Sequence, residues 1–264
     1  QRGRMKYPGL WRGCMGAWAT CLGQNGVVLR DNSQFHKHGA LTTLVPSTCW
    51  VPRNGIMSLA FSGTSGERVE IGNRVLSGQS IAMIAGWARL TSAATDQALF
   101  TESYHADGSF SVSLRVTGNK AVVAFRDGTP GTTVTVTGAT TLLDGVMYHI
   151  AGVFTQTAQY VYLNGILDGS AATAMGPITS TWVSTRLGIQ NATTLRVMNG
   201  SLGDVIACAG SYSDANIRLL ASKRGVEYET NNRRSYKAPT VSGGVKISRG
   251  MTGGMDWKMI GGIQ

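Results

Sequence analysis

Apolar and polar residues alternate through the segment SFSVSLRV, where Phe110, Val112, Leu114 and Val116 are separated by Ser and Arg. A period of two is the signature of a strand with one face on a core and one face wet. The segments VMYHIAGVF and QYVYLNGILDG repeat the style. Between such runs stand Asp107-Gly108, Asp127-Gly128, Asp144-Gly145, Asn164-Gly165 and Asn199-Gly200, dipeptides that take up positive φ without a Cβ clash. Short strands at this spacing from Ile56 to Cys208 predict an all-β sandwich or barrel. One helix is predicted over 213–224, with Ser213 as N-cap, Asp214 in the first turn, apolar Ile217, Leu219 and Leu220, then Lys223, Arg224 and Gly225 at its end. It is expected to lie on the sandwich as a short lid. Beyond Thr230 the pattern stops: paired glycines, scattered basic residues and isolated large apolar side chains show no period and cannot order themselves without a partner surface.

Composition narrows this reading. The 264 residues suffice for one large domain or two small ones, and charged residues are only 14%, so Ser, Thr, Asn and Gly must solvate the surface. Thirty-five glycines against six prolines, with no Gly-X-Y period, exclude collagen and favour many tight turns. No apolar run approaches a membrane span, which predicts a soluble chain. The net charge of +10 is uneven: residues 1–55 hold seven basic residues and one acid, residues 56–230 eleven and twelve, residues 231–264 six and one. A neutral body with basic ends makes nucleic acid, anionic membrane and acidic protein surfaces the partners to weigh. Cys14, Cys21, Cys49 and Cys208 form no metal-binding spacing and are read as reduced thiols, with disulfides left open in an oxidising medium.

Three stretches in order resemble the laminin-G-like (LamG) jelly rolls of the concanavalin A-like lectin/glucanase superfamily. LRDNSQFHKHGALT (29–42) is similar to the group's opening strand, Asp-x-Ser turn and His-Gly step. MYHIAGVFTQTAQYVYLNGILDGS (147–170) resembles its Trp-His-His-Val-Ala strand and Asn-Gly hairpin, with Met147 and Tyr148 in place of Trp-His and His149 at the matching polar position. NGSLGDVIACAGSYSDANIRLLAS (199–222) resembles its Gly-x-Ile-Asp-Asp-Val strand and closing helix. The resemblance covers about residues 10–228 and implies two antiparallel sheets packed face to face; with the single helix and the patternless tail, the expected fold is an all-β, two-sheet antiparallel jelly-roll sandwich with one short helix and an extended C-terminal arm. The group's acidic Phe-Asp-Gly loop is replaced by FSGTSGERVEI, with Ser62 and Gly66 at the acidic positions. For calcium the resemblance singles out Asp31 and Asp204; the structural reading, an Asx-turn at Asp31 and a strand cap at Asp204, is preferred.

Glycosidases on such a fold need two carboxylates facing across the bond to be cut. The close acid pair Glu67 and Glu70 has odd spacing, which predicts opposite strand faces and no enzyme activity. His36 and His38 flank Lys37 without a third ligand, and His105 and His149 stand singly. Trp87 and Tyr148 are expected in the core, while Trp11, Trp18 and Trp50 are candidates to plug a groove or meet a partner. No motif for nucleotide, zinc or nucleophilic chemistry is present.

The domain reading is a basic arm over 1–9, a jelly roll over 10–228 and a Gly-rich basic arm over 229–264. Arg233, Arg234, Tyr236, Lys237, Lys246, Arg249, Trp257 and Lys258 are the candidate partner contacts of that arm. The expected function is a non-enzymatic structural protein of a large assembly, a phage or virus virion component such as a head decoration or tail protein. The chain would form a homo-oligomer, dock on neighbouring subunits through the arm, and reside in the virion after assembly in the host cytoplasm. No cofactor beyond calcium, no membrane and no nucleic-acid partner are expected. The alternative is a carbohydrate-binding adhesin or lectin, which requires an exposed groove of polar and aromatic residues and takes host-surface glycan at the sandwich rim.

Overall fold

The computed structural model describes residues 5–104, 110–127, 131–179, 184–190, 195–210 and 212–230. The early strands are β1 (Cys14–Trp18), β2 (Val28–Leu29), β3 (Gly39–Thr42), β4 (Trp50–Arg53), β5 (Ile56–Ser62) and β6 (Arg68–Glu70). The middle ones are β7 (Ile81–Leu90), β8 (Gln97–Tyr104), β9 (Phe110–Thr117), β10 (Lys120–Arg126) and β11 (Thr133–Thr137). The last are β12 (Met147–Thr155), β13 (Ala158–Leu163), β14 (Ile166–Ala172), β15 (Thr185–Leu187) and β16 (Asn199–Ala209). A single turn, α1 (Pro46–Cys49), precedes β4, and α2 (Asp214–Ser222) follows β16.

These strands make two eight-stranded antiparallel sheets. The first runs β14-β13-β12-β7-β16-β5-β4, with β1 also paired to β16; the second runs β11-β10-β9-β8-β15-β6-β3-β2. The two-sheet antiparallel sandwich is therefore as expected. Period-two alternation sets what each strand sends inward: Ala82, Ile84, Ala88 and Leu90 of β7 meet Val112, Leu114 and Val116 of β9 in the core between the sheets. The intervening Met83 and Ala85 point the other way, into a second core on the outer face of the first sheet.

That second core is made by α2. Ser213 caps the helix, its side chain accepting from Asn216 N, and Ile217 and Leu220 are buried against Ala151, Val153 and Ile206. Arg224, expected in the last helical turn, lies beyond it and is buried, because its guanidinium reaches back to Ser58 Oγ, Thr20 Oγ1 and the Met57 carbonyl. β16 is buried along nearly its whole length, since β7 flanks it on one side and β5 then β1 on the other. Its register shifts between Leu202 and Val205. Gly203 in that bulge has no room for a Cβ, which would sit 2.7 Å from Trp87 Cβ and 3.0 Å from Arg224 Nε.

Three local readings are corrected. Trp18 and Trp50 are buried core residues, and Trp11 is half-buried against Tyr228 with its indole N–H on the Glu227 carbonyl, so none of the three stands free to plug a groove. The polar face of β9 is not wet: Ser111, Ser113 and Arg115 are buried, and the Arg115 guanidinium lies 5.1 Å from the Phe110 ring, so the side chain runs along its own strand. Asn199-Gly200 is not a turn but the start of β16, where a Cβ on Gly200 would stand 2.1 Å from the Arg89 carbonyl oxygen.

The chain ends of this body meet. Met5 bridges Thr230, Lys6 N–H donates to the Glu229 carbonyl at 2.8 Å, and Glu229 pairs with Lys6 and Lys223, each at 2.9 Å. Met5 and Lys6, part of the anticipated N-terminal arm, are tied down by these contacts. Among the described residues no helix is long and apolar enough to cross a membrane. The candidate contacts Arg233, Arg234, Tyr236, Lys237, Lys246, Arg249, Trp257 and Lys258 lie outside the described residues.

Candidate functional site: a tyrosine-lined groove

The QYVYL alternation puts Tyr160 and Tyr162 on the outer face of the first sheet, opposite Val153 and Ala151 of β12. Their rings lie 6.5 Å apart. The hairpin that follows turns through Asn164 and Gly165, both at positive φ, and brings Leu167 beside Tyr162. On the other flank stand Tyr212 and, at the first turn of α2, Asp214. With Ile81, Val153 and Thr155 as floor, these side chains enclose a groove of about 360 Å³.

The polar groups of the groove are fixed. Tyr162 donates its hydroxyl to Asp214 Oδ1 at 2.8 Å, and burial together with that bond pushes the phenol well above its ordinary range. Tyr212 donates to the Leu10 carbonyl and accepts from Cys208 Sγ at 3.1 Å. Tyr160 is half-buried and Leu167 half-exposed, so an apolar ring face and an alkyl surface remain open beside the Asp214 carboxylate. An apolar platform next to an oriented hydrogen-bond acceptor suits a ligand with one C–H face and peripheral hydroxyls.

The residues picked out in the sequence fall elsewhere. Asp31 is buried, and its two carboxylate oxygens accept from the amides of Ala17, Ser33 and Lys37 and from Ser33 Oγ, each at 2.8 Å; four donors occupy its lone pairs. Asp204 accepts from Cys21 N at 2.8 Å and Thr20 Oγ1 at 3.3 Å and faces Arg224 Nε at 3.7 Å. Among the described residues no group of three His, Cys, Asp or Glu converges. His38 Nδ1 accepts from Asp31 N, while His36 is exposed. His149 is buried edge-on to Trp87, ring centroids 5.2 Å apart, and burial holds its pKa down to about 3. His105 lies outside the described residues.

Three of the glutamates are engaged. Glu67 stands in the loop before β6 rather than on it, with both oxygens on Ser62 N and Oγ; Glu70 is held by Arg68 at 2.9 Å and Arg186 at 2.8 Å. Glu102, missed in the sequence as one acid among many, is fully buried and accepts from the amides of Val75, Leu76 and Ser77. On the outer face of the second sheet the register aligns Thr135, Ala124, Ser113, Thr101, Arg186 and Glu70 in one row across five strand pairs. Ser113 Oγ, Thr101 Oγ1 and two nitrogens of nearby Arg115 are buried there without a hydrogen-bond partner, and burial followed by Arg196 lowers the Arg115 pKa to about 10.

No curated protein matches the chain. Among solved structures, domain 4 of a GH43 extracellular arabinanase from Geobacillus stearothermophilus, in complex with arabinotriose, is 14% identical, with a TM-score of 0.57 over 79% of this chain and 98% of that one. The binding domain of Paraclostridial Mosquitocidal Protein 1 is 12% identical, with a TM-score of 0.63 over 80% of this chain and 52% of that one. The CBM40 of Ruminococcus gnavus IT-sialidase, bound to α2,3 sialyllactose, is 14% identical, with a TM-score of 0.50 over 62% of this chain and 96% of that one. At these identities the likeness is one of fold. The family model of the concanavalin A-like lectin/glucanases superfamily matches residues 62–218, more than half of the chain, and the protein therefore belongs to that superfamily.

Proposed function

We propose that the chain is a non-catalytic carbohydrate-binding module whose groove at Tyr160, Tyr162 and Asp214 holds one or two sugar rings. The groove carries this reading: it is open, flanked by tyrosine rings, and supplied with one fixed carboxylate that accepts hydrogen bonds from hydroxyls. The sugar complexes of the arabinanase domain and of the CBM40 support it by analogy of fold. The engagement of Glu67, Glu70 and Glu102 supports the absence of glycoside hydrolysis.

A glycan array probed with the full chain tests the reading. The chain is expected to bind a defined set of glycans, and Tyr160→Ala to weaken binding about tenfold, the worth of one aromatic platform, with unfolding unchanged. An array with no ligand, or a variant that binds as well as the parent, overturns it. The virion role, with the chain homo-oligomeric and docked on neighbouring subunits, is a second proposal. Its support is the basic, Gly-rich segment 231–264 with its spaced anchors Tyr236 and Trp257.

A further inference from the structure

Two arginines away from the tyrosine groove make a second binding feature. Arg53 ends β4 at the Asn54-Gly55 turn, and Arg89 stands near the end of β7. Ser201 of β16 is the cross-strand neighbour of Arg89, and its Oγ accepts from Arg53 Nε at 3.1 Å, which puts the two arginines on one face of the sheet. Arg89 Nε donates to the Gly145 carbonyl at 2.7 Å. Each guanidinium is thus positioned through Nε by a neutral acceptor, which leaves its Nη edge for another partner. Arg68, Arg186, Arg196 and Arg224 each face a carboxylate; among the described residues Arg53 and Arg89 face none. The two line an open pocket of about 270 Å³ with Pro52, Asn54, Gly145 and Met147, and no acid contributes to its wall.

Two guanidiniums lining one pocket without an acid in its wall make it electropositive, and the fork geometry of each matches a planar or tetrahedral oxyanion. The pocket lies on the same face of the first sheet as the tyrosine groove, at the opposite end of β7: Arg89 is eight residues from Ile81, roughly 26 Å at the rise of a strand. A ligand of one or two rings in the groove does not reach it. We propose that Arg53 and Arg89 form an oxyanion pocket that takes the carboxylate or sulfate group of an acidic saccharide. The saccharide part of this assignment rests on the glycan reading; the oxyanion part does not.

Calorimetric titrations of the full chain with sodium glucuronate, glucose 6-sulfate, inorganic sulfate and glucose test it. Glucuronate or glucose 6-sulfate is expected to bind, glucose to bind at least tenfold more weakly, and added salt to weaken the anions alone. Which of the two sugars binds better reports whether carboxylate or sulfate is the natural group. Arg53→Gln and Arg89→Gln are each expected to lose at least tenfold, at an unchanged urea midpoint, while Tyr160→Ala leaves anion binding intact. Equal binding of glucose, or retention of anion binding in both arginine variants, overturns the pocket. Inorganic sulfate binding as tightly as both acidic sugars overturns the saccharide class. Loss of array binding in the Tyr160 variant with anion binding intact shows two separate sites, and anion binding lost with Tyr160 overturns this one.

Discussion

His149 and Glu227 are both buried in the layer between the first sheet and its outer cover, and both titrate far from their ordinary values in opposite senses. His149 is held neutral by burial, with a pKa near 3 against an unfolded 6.5. The unfolded chain therefore binds a proton that the folded chain refuses, and this group's stability is lost as pH falls from about 6.5 towards 3. Glu227 is raised to about 7 from 4.5 by burial first and Asp204 second, offset in part by Arg224. Here the folded chain keeps a proton that the unfolded one gives up, so the contribution is full below about 4.5 and is lost as pH rises through 7. Each is on the order of 3 to 5 kcal/mol. We expect Glu227→Gln to match the parent at pH 4 and to exceed it at pH 8, and His149→Gln to remove the loss of stability on acidification. Urea midpoints across pH 4 to 8 check both, and a gap for Glu227→Gln that stays constant with pH would contradict the account.

At the scale of elements, the β13–β14 hairpin and α2 form one unit. Gly165 has φ +81, and a Cβ there would stand 2.9 Å from Arg218 Cα and 3.1 Å from Ala221 Cβ. Gly165→Ala is expected to cost about 2 to 3 kcal/mol, from positive φ and from pushing α2 off the sheet. Ser213→Ala, which removes only the cap on Asn216 N, is expected to cost about 1 kcal/mol. Chemical denaturation ranks the two, and the reverse order would mean that the hairpin does not bear on the helix. Most elements were legible from period and punctuation: α2 from its cap and apolar spacing, β9 from its inward Val112, Leu114 and Val116. The burial of the second face was not. The serines of β9 look wet in one dimension, and only Arg115 lying along its own strand shows otherwise. The groove was illegible for the same reason: Tyr160 and Tyr162 read as one strand face, whereas Tyr212 and Asp214 reach them from a segment about fifty residues on, placed there by α2 packing. Arg53, Arg89 and Ser201 likewise meet only through sheet register.

For the whole molecule, the bridge between Met5 and Thr230 governs how it answers tension. The body is entered and left at two partners of one antiparallel contact, and β1 pairs with β16 from Cys14 opposite Cys208 inward to Trp18 opposite Val205. Antiparallel hydrogen bonds lie perpendicular to their strands, so a force drawn through these two points loads them one after another, as a zipper does. The ion pairs of Glu229 with Lys6 and Lys223 yield early, then the edge-to-face contact of Trp11 with Tyr228, and β1 peels from the Cys14 end. In single-molecule pulling, handles at residues 5 and 230 should open the body at lower force than handles at residues 5 and 164, and equal forces would exclude the zipper. A body entered and left in this way is weak against pull along its own backbone and stronger against pull applied across its sheets, which loads many strands at once. Under strain along the chain it gives up its edge strand first and its sandwich last.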